Sequence, residues 1–149
     1  MAIQRTDPYP GMNFVVEIAG SSGHDAGAGI LEVVFPEARI YTYEYRNGNA
    51  LENAGRSLQT ITRYGNLVLR RGAIGLLDWF HWWQQISDGV ADRRTVRVTL
   101  LDEAHTQEVM SWRFLNARPV NYHVSHLYAL GGEPLVETLE LSFDRMEVE

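Results

Sequence analysis

The sequence contains no cysteine and no lysine. Without cysteine there can be no disulfide, no Cys-ligated zinc and no thiol nucleophile. Without lysine there is no side-chain amine nucleophile. All 13 basic residues are arginine, set against 19 acidic residues, for a formal net charge of −6. That excess of acid argues against an outer surface that binds nucleic acid, because phosphate attraction needs basic patches. No run of apolar residues is long enough for a transmembrane helix or membrane anchor. The longest apolar-rich stretch, Ile74 to Trp83, is interrupted by Gly75, Asp78 and His81. The first ten residues, Met-Ala-Ile-Gln-Arg-Thr-Asp-Pro-Tyr-Pro, lack the apolar centre of a signal peptide. Folding in the cytoplasm is therefore expected.

Hydrophobic residues make up 45% of the chain, which excludes a disordered polyelectrolyte. A chain of this size buries roughly 68–70% of its unfolded surface. One domain over residues 1–149 is expected, opened by a Pro-rich extended arm at 1–11. The apolar pattern is mostly of period two. Met12 to Ile18 and Ile30 to Phe35 read as strands, the second stopped by Pro36. Between them lies a Gly-rich loop, Gly20 to Gly29. Arg39 to Tyr45 alternates strictly and puts Tyr41, Tyr43 and Tyr45 on one face. Asn66 to Arg71, Thr95 to Leu101, Met110 to Phe114 and Leu135 to Phe143 alternate likewise. Arg46 to Thr60 opens with the turn signal Asn47-Gly48 but runs on as a polar loop, long for a compact domain. Gly72 to Asp88 is the one convincing helix. Leu76, Trp79, Phe80, Trp83 and Ile86 form its core-facing stripe, Trp82 lies beside it, and Gly89 caps its end.

Residues with chemical potential do not assemble into a catalytic set. His123 and His126 form an H-x-x-H pair, but positions i and i+3 of a strand point to opposite faces. Asp102-Glu103 reads as a solvated hairpin tip. Ser21, His24 and Asp25 have the letters of a triad without a nucleophile elbow. Gly23, Gly27 and Gly29 do not match a phosphate-binding loop. No cofactor, no metal and no enzymatic activity are expected. The three-tyrosine stripe could stack on sugars or bases, as in a carbohydrate-binding β-sandwich, or pack in the core or at a subunit interface.

The order of segments is more informative than any one of them. Tyr43-Glu44-Tyr45-Arg46-Asn47-Gly48-Asn49 is followed by Tyr64-Gly65-Asn66-Leu67-Val68-Leu69-Arg70-Arg71-Gly72. Then come Leu77-Asp78-Trp79 and Trp112-Arg113-Phe114-Leu115-Asn116-Ala117-Arg118-Pro119. In this order they resemble the tail tube proteins of contractile phages and of phage-tail-like contractile injection systems. The resemblance spans residues 12 to 147. It implies a mainly β fold, a small antiparallel β-barrel or sandwich with one flanking helix. It further implies hexameric rings stacked into a tube inside a contractile sheath, joined to spike, hub or baseplate proteins, with protein or DNA cargo in the lumen. Such a subunit is made in the cytoplasm and ends in a virion-like or extracellular particle. By the same resemblance, residues 46–60 reach a neighbouring subunit. The implied contact residues are Tyr43, Tyr45, Arg46, Asn47, Gly48, Asn49, Arg56, Arg70 and Arg71. A ring that initiates the tube at the spike hub is the alternative within this family.

Overall fold

The computed structural model describes residues 1–20 and 29–149, apart from the side chains of Gln59 and Thr60. Ser21, His24 and Asp25, with Gly23 and Gly27, lie outside the described residues. Nine strands and one helix are present among those described: β1 (Phe14–Ile18), β2 (Ile30–Val34), β3 (Ala38–Tyr45), β4 (Arg56–Tyr64), β5 (Leu67–Gly72), α1 (Asp78–Ser87), β6 (Arg94–Leu101), β7 (Glu108–Val124), β8 (Val136–Ser142) and β9 (Arg145–Val148). All strand pairs are antiparallel.

Seven strands form one sheet in the order β1-β6-β7-β8-β5-β2, with β9 on β7. The 17-residue β7 is the hinge of this sheet. Its first half pairs with β6 and β9, and its second half with β8. Asn116 marks the change of direction with a left-handed φ of 55°. The register against β6 slips there, between Arg94 and Val96. Asn tolerates this conformation better than other side chains. Its amide also donates to Asp144 at 3.0 Å, so the corner is tied to the β8–β9 turn. The sequence pattern supports a strand only as far as Phe114, because Asn116 and Pro119 break the alternation. Two register shifts absorb them, one at Asn116 against β6 and one after Pro119 against β8.

Folding the sheet at β7 brings two apolar faces together. Val16, Ile18, Val96, Val98 and Phe114 come from one half. Leu67, Leu69, Leu139 and Leu141 come from the other, each fully buried. The expected alternation is plain in β8, where every second residue is buried. Among the described residues the sheet does not close into a barrel: β1 and β2 stand at the two ends of its strand order. A cleft of about 240 Å³ lies near them, lined by Phe14, Leu31, Val33, Phe35, Leu100 and Trp112.

The helix is shorter than expected. It begins at Asp78, because Gly75 takes a φ of 86° and turns the chain before it. Leu76 thus precedes the helix. Trp79 and Trp82 are its buried residues, whereas Phe80 is 38% exposed and Trp83 half-buried. The core stripe is therefore Trp79–Trp82–Ile86, rotated from the one through Phe80 and Trp83. Trp82 is fixed by its indole N–H, which donates to the Asp92 carbonyl at 2.8 Å. The C-terminus ends as expected at Gly89, with φ 85°. Gly89 N–H bonds Ile86 O and Val90 N–H bonds Gln85 O, the double bond of a Schellman motif.

The second sheet is the hairpin β3–β4 alone. Residues 56–60 therefore belong to a strand, and the expected loop shrinks to residues 46–55. The pattern concealed β4 because its register against β3 is broken by a bulge.

Candidate functional site: an exposed hairpin

Among its described side chains the hairpin contributes almost nothing to the core, where Tyr64 at its base is the one that packs. Every residue of β3 is exposed. Its base is closed by a bond from Gly65 N–H to the Glu37 carbonyl at 2.8 Å. A side chain at Gly65 would crowd the Glu37 backbone, 3.4 Å from the position of its Cβ. At the far end Arg46 gathers the connecting loop. Its guanidinium donates to the carbonyls of Glu52 at 2.7 Å and Ala50 at 3.0 Å. Asn47 accepts from Ala50 N–H and from the Tyr45 hydroxyl. The Asn-Gly signal thus does start a turn, inside a loop of defined shape.

The bulge decides what the hairpin presents. Tyr41 pairs with Ile61 and Tyr43 with Leu58. Positions 58 and 61 would fall on opposite faces of a regular strand. One extra residue, Thr60, brings them to the same face. That face carries Tyr41, Tyr43, Tyr45, Leu58 and Ile61, all at least 45% exposed. The opposite face carries Thr42, Glu44, Ser57 and Thr62 with Ile40. An exposed, contiguous aromatic and aliphatic face on a two-stranded ribbon is unstable as a free surface in water. Tyr41 is flanked by the guanidiniums of Arg39 and Arg63, at 6.0 and 5.4 Å from its ring. The sequence points to the tyrosines; Leu58 and Ile61 escape it because three-residue spacing carries no strand signal.

Arg70 and Arg71 do not join this surface. Arg70 lies on β5 and pairs with Glu32 of β2 at 2.9 Å. Arg71 is fully buried within the chain. Its Nε donates to Glu137 at 2.8 Å and its Nη2 to Asp78 at 2.6 Å. Its guanidinium also lies 4.0 Å from the Trp79 ring. Tyr122 completes the group by donating its hydroxyl to Glu137 at 2.8 Å. Burial first, and then that bond to a carboxylate, push the Tyr122 hydroxyl up to about 12. For Arg71, burial works against its charge, but the bonds to Asp78 and Glu137 outweigh it and hold its pKa above the usual value. Asp78 stands in the first turn of α1, so this cluster fastens the helix to β5 and β8. It is a structural lock, which corrects the placement of Arg71 at a subunit contact.

The other candidates have ordinary roles. Asp102 accepts from Thr106 and Gln107 N–H and from the Thr106 hydroxyl, and so shapes the β6–β7 turn. Those bonds, the Thr106 amide foremost, lower its pKa. His123 is the penultimate residue of β7 and His126 lies beyond it, both exposed. Among the described residues, no group of three His, Asp or Glu could hold a metal ion.

The sequence model of the family described as T4-like virus tail tube protein gp19 matches residues 10–147. The chain belongs to this tail tube protein family. The fold of this tail tube protein recurs in solved structures. A chain of the anti-feeding prophage baseplate superposes with a TM-score of 0.82 at 20% identity, covering 97% of each chain. A chain of the sheath-tube complex of the PVC extracellular contractile injection system gives 0.81 at 22% identity, covering 95% of this chain and 91% of that one. Hcp1 from Flavobacterium johnsoniae gives 0.57 at 18% identity, covering 91% and 94%. No curated protein matches. The protein is a structural tube subunit, mainly β, and no helix among its described residues is long and apolar enough to cross a membrane.

Proposed function

We propose that this tail tube protein closes into hexameric rings, which stack as the inner tube of a contractile particle. The observation that carries this reading is the uncovered apolar face of the hairpin. Tyr43 and Tyr45 stand on it, and Arg46, Asn47, Gly48, Asn49 and Arg56 form its end. Covering such a face by another subunit removes its aromatic and aliphatic surface from water. The end strands β1 and β2 supply a second contact, because the end strand of a sheet can recruit a further chain. A closed ring satisfies each edge once and leaves none over. A sheath around the tube and a baseplate beneath it are the partners that follow, with cargo in the lumen. The role is non-enzymatic, and the finished particle acts outside the cell that makes it.

Negative-stain microscopy of the purified protein tests this reading. Six-fold rings or tubes are expected. Tubes of open-ended length mark the subunit of the tube shaft, and rings that do not stack mark the initiating ring. A monomer at high concentration would overturn the reading, and a monomer that binds sugars through the tyrosine face would replace it.

A further inference from the structure

Ten of the 13 arginines form an ion pair with a carboxylate of the same chain: Arg5, Arg39, Arg70, Arg71, Arg93, Arg94, Arg97, Arg113, Arg118 and Arg145. Among the described residues, the three that do not are Arg46, Arg56 and Arg63. All three belong to the hairpin. Arg46 is engaged with loop carbonyls, which leaves Arg56 and Arg63 without an acidic partner, both exposed.

Their positions are not random. Arg56 pairs across the ribbon with Tyr45, and Arg63 with Arg39. Both therefore lie on the tyrosine face, one at each end of the apolar stripe. An apolar centre bounded by charged groups is the usual layout of a protein interface, and arginine is the charged residue enriched there. Charge is also divided between the hairpin and the body. Ala38–Tyr64 holds four arginines and two glutamates, a balance of +2, in a chain of −6. The remainder therefore carries −8. Such a body repels phosphate and attracts the hairpin of another copy. Acceptors are at hand: among the described residues of the body, Asp7, Glu17, Asp88, Asp102, Glu133 and Glu140 form no ion pair.

Resting on the reading of the chain as a ring-forming tube subunit, we infer that Arg56 and Arg63 of one copy pair with carboxylates on the acidic body of a second copy. The tyrosine stripe between them is covered in the same contact. Attachment of one subunit to the next is then electrostatic at its rim and apolar at its centre. Arginine can meet such carboxylates in a bidentate fashion. Salt screens the rim but not the centre.

The test compares the full-length wild type with Arg56→Gln/Arg63→Gln and with Tyr43→Ser/Leu58→Ser. Sedimentation and negative stain give the threshold concentration for assembly, at about 0.05 M and about 0.5 M salt. Circular dichroism reports folding, which should be unchanged because none of the four residues is in the core. For the wild type the threshold should rise about tenfold between the two salts. The arginine variant should need about tenfold more protein at low salt and lose most of that salt response. The apolar variant should assemble poorly at both salts while its salt response persists. If the arginine variant assembles at the wild-type threshold with the same salt response, the inference fails and the tube reading stands. If the wild type forms no rings at either salt, the tube reading itself fails. Capture of duplex DNA by the wild type but not by the arginine variant, in place of self-association, would assign the arginines another partner and overturn the inference.

Discussion

At the scale of single residues, the Arg71 cluster has the clearest energetic consequence. Arg71 is buried among Asp78, Glu137, Tyr122 and Trp79. Replacing it with Met leaves Glu137, itself only 7% exposed, without its cation. A loss of about 3–5 kcal/mol in a urea titration is expected for breaking such a pair from one side. Glu137→Gln should cost less, because Arg71 keeps Asp78. Tyr122 makes the same cluster sensitive to alkali. Its folded pKa of about 12 lies above the ordinary value of 10.0. The contribution is therefore complete below pH 10 and is lost as pH rises through about 12. Stability should fall across that window by at most about 2–3 kcal/mol, and Tyr122→Phe should abolish this part of the loss. A variant whose alkaline stability profile matches the wild type would show that the phenol contributes nothing. None of this was readable in the sequence, since Arg71 and Glu137 are 66 positions apart and meet only through the β5–β8 register.

At the scale of elements, alternation located most strands and failed where the backbone departs from regularity. β8 was plain because every second residue is buried, and β6 because its apolar residues Val96, Val98 and Leu100 alternate with polar ones. β4 was hidden by its bulge, the second half of β7 by Asn116 and Pro119, and β9 by its short length of four residues. The helix was found, but its wide apolar face left its rotation open. Trp79→Ala and Trp82→Ala should each cost about 3–5 kcal/mol, and the exposed Phe80 should cost markedly less when truncated. Equal losses at Phe80 and Trp82 would return the stripe to its sequence-based position. Held by Arg113 and Arg118 among others, β9 and the turn before it should also respond to acid. The bond from Arg113 lowers the Glu147 carboxyl, and those from Asn116 and then Arg118 lower Asp144. Groups lowered by folding stabilise above their unfolded values, near 4.5 and 3.8, and lose that effect as pH falls. Amide exchange in β9, corrected for its intrinsic rate, should accelerate below that range before the exchange of β6 does. Simultaneous loss of protection in both strands would mean that β9 does not open separately.

At the scale of the whole molecule, folding and assembly draw on different parts of the chain. The core is built from β1, β5 to β8, α1 and Phe143, and among the described side chains it takes none from positions 36–63. The hairpin instead carries an apolar face that the monomer never covers. The tyrosine stripe and the long connection were visible in the sequence as features lacking a local purpose. Their relation was not, because it depends on the bulge that rotates Leu58 and Ile61 onto the tyrosine side. If the division holds, the hairpin end can be removed without cost to the fold. Replacing residues 46–55 by Asn-Gly would join β3 to β4 through the shortest favoured turn and keep the Tyr45–Arg56 pair. It would also remove Leu51, which is fully exposed, and the loop that Arg46 organises. The stability of the variant should stay within about 1 kcal/mol of the wild type, the range for changes outside the core. Its rings or tubes should be lost or shortened in negative stain. Tubes of wild-type length would show that residues 46–55 are dispensable for stacking. An unfolded variant would show instead that the hairpin end supports the core, contrary to the contacts within the chain.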